Sequence, residues 1–150
     1  MTFEFSESSL KRLQTCHEDL QKVMTIALAH SDIDFGIAEG HRTPKRQNEL
    51  FNTRDKNGKR LTKIDGITQL SKHNHSPSLA VDIYAFVNGR TDYSLINMCY
   101  LAGVILSTAK RLHQIGRITH AVRWGGNWDR DNELLTDQDF DDTPHFELET

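Results

Sequence analysis

Two histidines and one aspartate lie close together near the middle of the chain. His73 and His75 belong to a polar stretch rich in turn formers, and Asp82 interrupts an alternating apolar run over residues 79–86 that predicts a strand. A buried carboxylate is costly unless it is paired or binds a metal. Imidazole and carboxylate are both ligands for zinc, so this stretch is a candidate metal site. An aspartate that caps a turn, beside two surface histidines, would give the same pattern.

A third histidine near the end of the chain completes a possible ligand set. His145 begins the last predicted strand and follows Asp142 by three residues. Together with His73 and Asp82 it supplies two imidazoles and one carboxylate, which leaves a fourth zinc position for water, as in catalytic zinc sites. Asp142 is then a candidate for accepting the proton of that water. Glu147, on the same strand face as His145, is a candidate partner for the second ring nitrogen of that histidine.

Length and composition set the limits for these hypotheses. A chain of 150 residues with a formal net charge of −3 is expected to form a single domain over residues 1–150, and it has no basic footprint for nucleic acid. We expect no signal peptide, and no run of about 18 apolar residues predicts a membrane span. Cys16 and Cys99 lie in apolar patterns and are expected to be buried free thiols, which fits a reducing compartment.

Helices and short strands alternate along the chain. The apolar spacing predicts long helices over residues 6–30 and 93–115, and Thr43-Pro44 predicts the start of a shorter helix. Strands are expected over four stretches, which are residues 34–38, 79–86, 118–124 and 143–148. Asn88-Gly89 predicts a tight hairpin turn. These elements predict an α+β domain, in which helices pack against a small, mostly antiparallel sheet.

Two parts of this framework are expected to lack chemistry. His17 falls inside the first predicted helix, which Ser8 or Ser9 would cap, and is interpreted as an ordinary surface residue. Residues 52–70 are polar, with Asn57-Gly58 as a turn signal, and are interpreted as a mobile connection.

Short motifs spread along the chain point to a known family. The matching segments are Gly40-His41-Arg42-Thr43, Ser71-Lys72-His73, Ala80-Val81-Asp82, Trp124-Gly125-Gly126 with Trp128, and His145-Phe146-Glu147-Leu148. Together they resemble the VanY-type zinc peptidases, most closely the phage endolysins that act as L-alanyl-D-glutamate peptidases. The implied fold is the zinc fold shared by DD-peptidases and hedgehog domains.

The resemblance implies one Zn²⁺ held by His, Asp and His, with a carboxylate as general base. Asp82 and His145 match the second and third ligands, and Asp142 matches the base. The Ser-Lys-His-Asn motif indicates His73 as the first ligand, whereas the usual spacing between the first histidine and the aspartate in the family indicates His75. We favour His73, because a loop absorbs inserted residues more easily than a strand entry can shift.

Two further roles follow from the resemblance. Arg42 matches an arginine that could hold a substrate carboxylate by a bidentate contact, and a surface arginine at a helix end is the alternative. In relatives a loop near this position binds Ca²⁺ as a regulator, and Asn127, Asp129 and Asp131 would offer alternating oxygen ligands. A solvated acidic loop is the alternative for these three residues.

The implied activity is hydrolysis of the L-Ala–D-Glu amide bond of peptidoglycan stem peptides. The enzyme is expected to be a monomer that binds peptidoglycan, but no nucleic acid or membrane, and that stays in the host cytoplasm until it is released to the periplasm at lysis. A D-Ala-D-Ala carboxypeptidase on the same scaffold and a non-catalytic, zinc-stabilised binding module are the alternatives. The Asp142 carboxylate before His145 favours catalysis.

Overall fold

The computed structural model describes residues 2–127, 130 and 142–150. Within these residues the helices are α1 (Glu7–Leu13), α2 (Glu18–His30), α3 (Pro44–Phe51) and α4 (Leu95–Gln114), with one 3₁₀ turn over Lys72–Asn74. The strands are β1 (Asp34–Glu39), β2 (Ala80–Val87), β3 (Arg90–Asp92), β4 (Val122–Gly125) and β5 (Asp142–Leu148). The predicted α+β class is therefore confirmed.

The strands form one antiparallel sheet in the order β1-β2-β5-β4. β2 is central, because it pairs with β1 on one side and with β5, over residues 80–82, on the other. β3 pairs with the end of β2 through the predicted hairpin, whose Asn88 and Gly89 have φ angles of 53° and 78°. Positive φ at both central residues is what a type I′ turn requires.

The core lies between one face of the sheet and the helices α2 and α4, which also pack against each other. The strands contribute nine buried side chains to it: Phe35, Ile37, Val81, Ile83, Ala85, Val122, Trp124, Phe146 and Leu148. Because side chains alternate along a strand, Asp82 and His145 lie on the opposite face. They are direct cross-strand partners in the pairing of β2 with β5, so their side chains lie side by side on that face.

The prediction of one helix over residues 6–30 is wrong. The chain leaves the helix after α1 because its next residues pair with a distant segment: the His17 N–H donates to Ser78 O at 2.8 Å, and the Ser78 N–H donates to Thr15 O at 2.9 Å. The His17 ring then caps α2, since its Nδ1 accepts a hydrogen bond from the Asp19 N–H. Regular helix periodicity in the sequence continued across this break and concealed it.

Several boundaries also differ from prediction. Ser6 caps α1, where Ser8 or Ser9 was expected. The strand expected over residues 118–124 is shorter, since β4 begins at Val122. The start of α3 matches, with Thr43 as its cap and proline in its first turn. In the described part of the chain no helix is both long and apolar enough to span a membrane. Both cysteines are free thiols; Cys16 is buried, as expected, whereas Cys99 is only partly buried.

Candidate active site

A short capped turn before β2 positions His73. The Ser71 hydroxyl accepts a hydrogen bond from the His73 N–H, and the Ser71 N–H donates to the Asn74 side chain at 2.8 Å, so the turn is closed at both ends. The His73 ring is 2% exposed, and its Nδ1 lies 2.7 Å from Gly40 O. A carbonyl oxygen only accepts, so Nδ1 bears the proton and Nε2 presents its lone pair to the Asp82 side.

A second carboxylate orients the His145 ring in a similar way. His145 Nε2 lies 2.9 Å from Glu147 Oε1, and Arg123 Nη2 donates to Glu147 Oε2 at 2.8 Å. The Glu147 carboxylate therefore accepts a hydrogen bond from the protonated Nε2 of His145. His145 Nδ1 points to Asp82 Oδ1 at 3.0 Å. Glu147 is thus the partner of the second ring nitrogen that its position on the strand predicts.

Three donor atoms converge on the sheet face opposite the core. His73 Nε2 lies 3.3 Å from both Asp82 Oδ1 and His145 Nδ1. For metal–ligand bonds of about 2.0 to 2.1 Å, neighbouring ligands of a tetrahedral zinc ion stand about 3.3 Å apart. The triangle therefore has the donor types and the size that a tetrahedral Zn²⁺ requires, and each imidazole is held by a hydrogen bond from its other nitrogen.

The electrostatics of the triangle favour a cation. Burial acts to raise the pKa of Asp82, but His73 and His145 outweigh it and hold the pKa well below its usual value. Burial would likewise lower the pKa of His145, yet hydrogen bonds to Asp82 and Glu147 raise it to about 10. Without a metal ion, the protonated His145 ring therefore places a positive charge between the carboxylates of Asp82 and Glu147, where a metal ion would place its own positive charge.

The other candidate for the first ligand lies outside this triangle. His75 is exposed and contributes to the lining of the surrounding cleft. The structure brings His73, and not His75, against Asp82 and His145.

Asp142 lies beside the triangle at the start of β5. Its Oδ2 is 3.9 Å from His145 Nδ1, and burial raises the pKa of its carboxyl group above the usual value. Gly125 of β4 permits this placement, because a Cβ there would lie 2.1 Å from Asp142 O. The Trp124 indole N–H donates to Thr143 O at 2.8 Å and fixes the same strand pair. Gly125, the first glycine of the Trp-Gly-Gly motif, is therefore needed for the close approach of β4 and β5.

Arg42 is almost buried, with a side chain that is 10% exposed. Its Nε and Nη2 both donate to the Glu39 carboxylate, and Nη1 donates to Gln47 Oε1 at 2.7 Å. Nη2 also lies 3.7 Å from Asp82 Oδ2. The alternative of a surface arginine is wrong. The predicted bidentate grip on a substrate carboxylate stays a prediction, and it would require Glu39 to give way, since Glu39 fills that edge of the guanidinium.

A cleft of about 830 Å³ opens in front of these residues. Residues of α3 and of the segment 61–70 form one part of its lining, which we call the α3 wall: Arg46, Leu50, Leu61, Thr62, Lys63, Ile64, Gln69 and Leu70. The segment 52–70 was interpreted as a mobile connection without chemistry, and its second half contributes to the lining of the cleft. The fully buried Gln47 holds the wall in place, because its Nε2 donates to Thr62 Oγ1 and Ile64 O.

The chain matches a known protein family over almost its whole length. The family model of the phage L-alanyl-D-glutamate peptidase matches residues 1–149. This chain belongs to that family. The resemblance inferred from the sequence motifs is therefore confirmed.

Two known proteins illustrate the relationship. The L-alanyl-D-glutamate peptidase of Escherichia phage T5 is 29% identical over 129 residues, which cover 85% of this chain and 83% of that protein. The crystal structure of the L-Ala D-Glu endopeptidase ChiX of Serratia marcescens superposes with a TM-score of 0.69 at 25% identity, over 99% of this chain and 90% of that one.

A second His-Asp-His group lies at the start of α2. His17, Asp19 and His120 also place potential ligand atoms within 4.8 Å of one another. However, Asp19 Oδ2 already accepts hydrogen bonds from two backbone N–H groups, those of Thr119 and His120, at 3.0 Å, and from the His120 ring. The His17 Nδ1 is likewise engaged in capping α2. This group, which we call the α2 clamp, ties α2 to the segment before β4, so the interpretation of His17 as an ordinary surface residue is wrong.

The proposed calcium ligands fall largely outside the described residues. Asn127 is described, and its N–H donates to Trp124 O in the turn after β4. Asp129 and Asp131, like Trp128, lie outside the described residues. The calcium hypothesis therefore stays a prediction.

Proposed function

We propose that this chain is a zinc-dependent endopeptidase that hydrolyses the L-Ala–D-Glu amide bond of peptidoglycan stem peptides, with Asp142 as general base. The chain belongs to a family of peptidoglycan endopeptidases. The observation that supports zinc and the base together is the triangle of His73, Asp82 and His145, which has the size of a tetrahedral metal site and has the Asp142 carboxylate beside it.

Each residue of the site then has a distinct task. Zinc, when bound, would polarise the scissile carbonyl and lower the pKa of a water molecule. Asp142 takes the proton from the attacking water and delivers it to the leaving amine, as the new C–O bond forms and the C–N bond breaks. Its raised pKa suits this task, because a general base works best when its pKa lies nearer the operating pH.

The surrounding residues keep the ligands in their working form. The Gly40 carbonyl accepts a hydrogen bond from His73 Nδ1, and the Glu147 carboxylate accepts one from His145 Nε2. The second nitrogen of each ring, His73 Nε2 and His145 Nδ1, is therefore directed to the position of the metal. Arg42 is proposed to support the ionised Asp82 through its Nη2, besides any contact with substrate.

The remaining proposals rest on family membership. The enzyme would act as a monomeric single domain over residues 1–150, and it would reach the peptidoglycan from the host cytoplasm at lysis. The calcium loop at Asn127, Asp129 and Asp131 is kept as a regulatory proposal, which a calcium titration of activity would test.

A digest of purified peptidoglycan tests the main proposal. Zinc-supplemented wild type should release new D-Glu N-termini matched by L-Ala C-termini, detected by mass spectrometry, whereas the isosteric Asp142→Asn variant should bind zinc but lose activity by about 10² to 10⁴-fold. Release of free D-Ala instead would identify a carboxypeptidase. Stoichiometric zinc without any cleavage would favour a binding module.

The ligand assignment needs its own comparison. His73→Ala should abolish stoichiometric zinc binding, and His75→Ala, two residues away in the same loop, is the matched control that should retain it. The opposite result would move the first ligand to His75 and contradict the assignment.

A further inference from the structure

The α3 wall combines positive charge with exposed apolar surface. Arg46 and Lys63 contribute cations, and Leu61 and Leu70 are 45% and 52% exposed. The chain as a whole has a net charge of −3, so this wall differs in character from the average surface. A cleft with cations beside exposed aliphatic groups is suited to a peptide that carries carboxylates.

Three further cations that line the cleft form hydrogen bonds close to the metal-site residues. Arg42 donates to Glu39, Arg123 donates to Glu147 at 2.8 Å, and Lys72 Nζ donates to Leu148 O at 3.0 Å. These contacts hold the ligands and the end of the chain in place.

Arg46 is in a different position. Its guanidinium forms an ion pair with Glu49 at 3.4 Å, in which the two side chains are 58% and 52% exposed. Such an exposed pair contributes little free energy and exchanges readily for another carboxylate. A substrate carboxylate that enters the cleft can therefore compete for Arg46.

Gln47 ties together the two chain segments that carry Arg46 and Lys63, and both residues line the cleft. Arg46 directly precedes Gln47 on α3, and Lys63 lies between Thr62 and Ile64, the two residues that the Gln47 amide binds at 3.1 and 2.8 Å. The Gln47 oxygen accepts from Arg42, next to Asp82. The wall is thus fixed relative to the candidate metal site before substrate arrives, which reduces the cost of binding.

The chemistry of an L-Ala–D-Glu substrate requires such a group. The amine of D-Glu is in the scissile amide, and D-Glu has two carboxyl groups. Only one of them continues the peptide, so the other remains as a side group a few bonds from the nitrogen that leaves. An enzyme specific for this bond must therefore accommodate the second carboxylate of D-Glu close to the scissile amide, on the side of the leaving amine.

We propose that Arg46 and Lys63 form a carboxylate subsite that recognises the side carboxylate of D-Glu on the leaving side of the scissile bond. This inference rests on the proposed function and specifies its substrate: the unamidated form of the stem peptide. Charge-assisted contacts from a guanidinium and an ammonium bind a carboxylate and do not bind the corresponding amide equally well.

Kinetics with two synthetic peptides test the subsite. The peptides are N-acetyl-L-Ala–D-Glu–L-Lys, linked through the γ-carboxyl group, with the α-carboxyl group either free or amidated. The zinc-supplemented full chain should prefer the free acid. Arg46→Gln and Lys63→Gln should each lower kcat/KM for the free acid by about 3- to 10-fold, mainly through KM, and should change it less than about twofold for the amide.

Matched controls separate this effect from general charge loss. Lys45→Gln removes the same charge from the neighbouring position of α3, and Lys59→Gln removes it from the segment of Lys63; both residues are exposed and neither lines the cleft. These variants should resemble wild type on both peptides. A merely structural role of Arg46 would affect the acid and the amide alike.

The outcomes distinguish the two proposals. If wild type cleaves both peptides and Arg46→Gln and Lys63→Gln lose no preference for the free acid, the subsite is wrong and the proposed function stands. If wild type cleaves neither peptide and also fails to digest peptidoglycan, the proposed function itself is wrong. Loss of the acid preference in both variants, with the amide unchanged, supports the subsite.

Discussion

Replacing Glu147 should weaken zinc binding without altering any proposed ligand. The Glu147 carboxylate is 6% exposed and accepts two hydrogen bonds, from His145 Nε2 at 2.9 Å and from Arg123 Nη2 at 2.8 Å. It fixes the ring so that Nδ1 faces Asp82. Loss of a carboxylate that orients a ligand histidine typically costs about 10- to 100-fold in metal affinity, which corresponds to about 1.4 to 2.7 kcal/mol.

Two variants should span this range. In Glu147→Gln the amide oxygen can still accept from His145, but its NH₂ group then faces the Arg123 donor, so we expect the Kd for zinc to rise by about tenfold. Glu147→Ala removes both contacts, and we expect a rise by about 100-fold. Competition with a chromophoric chelator at pH 7 measures the two constants directly.

The control is the next acidic residue along the chain. Glu149 is 39% exposed and pairs with Arg130 at 2.7 Å, away from the triangle, so Glu149→Gln should leave the Kd for zinc unchanged. A Kd within twofold of wild type for both Glu147 variants, with an unchanged circular dichroism spectrum, would refute the argument that this carboxylate orients His145.

Three further predictions concern stability, each measured by urea unfolding of the metal-free protein. Burial tends to raise the pKa of Asp19, but its hydrogen bonds hold the pKa below the usual 3.8, so its contribution is complete above pH 3.8 and is lost as the pH falls through the lower folded value. Asp19→Asn should therefore lower the free energy of unfolding by about 2 kcal/mol at pH 7 and by less below pH 3.8, whereas the exposed Asp32→Asn should change it little; an equal loss at both pH values would contradict this. Gly40→Ala should cost about 1 to 3 kcal/mol, because the new Cβ would lie 2.3 Å from a threonine hydroxyl and 2.5 Å from a carbonyl oxygen, and it should also weaken zinc binding through His73. Gly103→Ala, where no atom lies within 4 Å, should stabilise α4 by about 0.5 to 1 kcal/mol, and a loss of stability there would show that the helix face is not open.

Local sequence patterns predicted much of the fold because they act over a few residues. The alternating run gave β2, Asn88-Gly89 gave the hairpin, and Thr43-Pro44 gave the start of α3. Each of these signals lies within or beside the element that it determines.

The break between α1 and α2 and the α3 wall were not predicted, and both depend on contact between distant segments. The break between α1 and α2 depends on the backbone of Ser78, more than 60 positions further along the chain. The α3 wall depends on one buried amide, that of Gln47, which holds residues 62–64. Neither contact leaves a periodic signal, since a polar residue that is buried through specific hydrogen bonds looks like a surface residue in the sequence.

The position of the first ligand combines both kinds of information. The Leu79 N–H donates to Lys72 O at 3.0 Å, so the two ends of the intervening loop are tied together just before β2 begins. His73 lies at the fixed end of this loop, while His75 lies in its exposed part. Additional residues between the tied ends lengthen the exposed part and leave the distance from His73 to Asp82 unaffected. Spacing along the chain is therefore a poor guide to ligand identity here, whereas the register that sets Asp82 opposite His145 is a strong one, because a slip by one residue would turn the Asp82 carboxylate into the core.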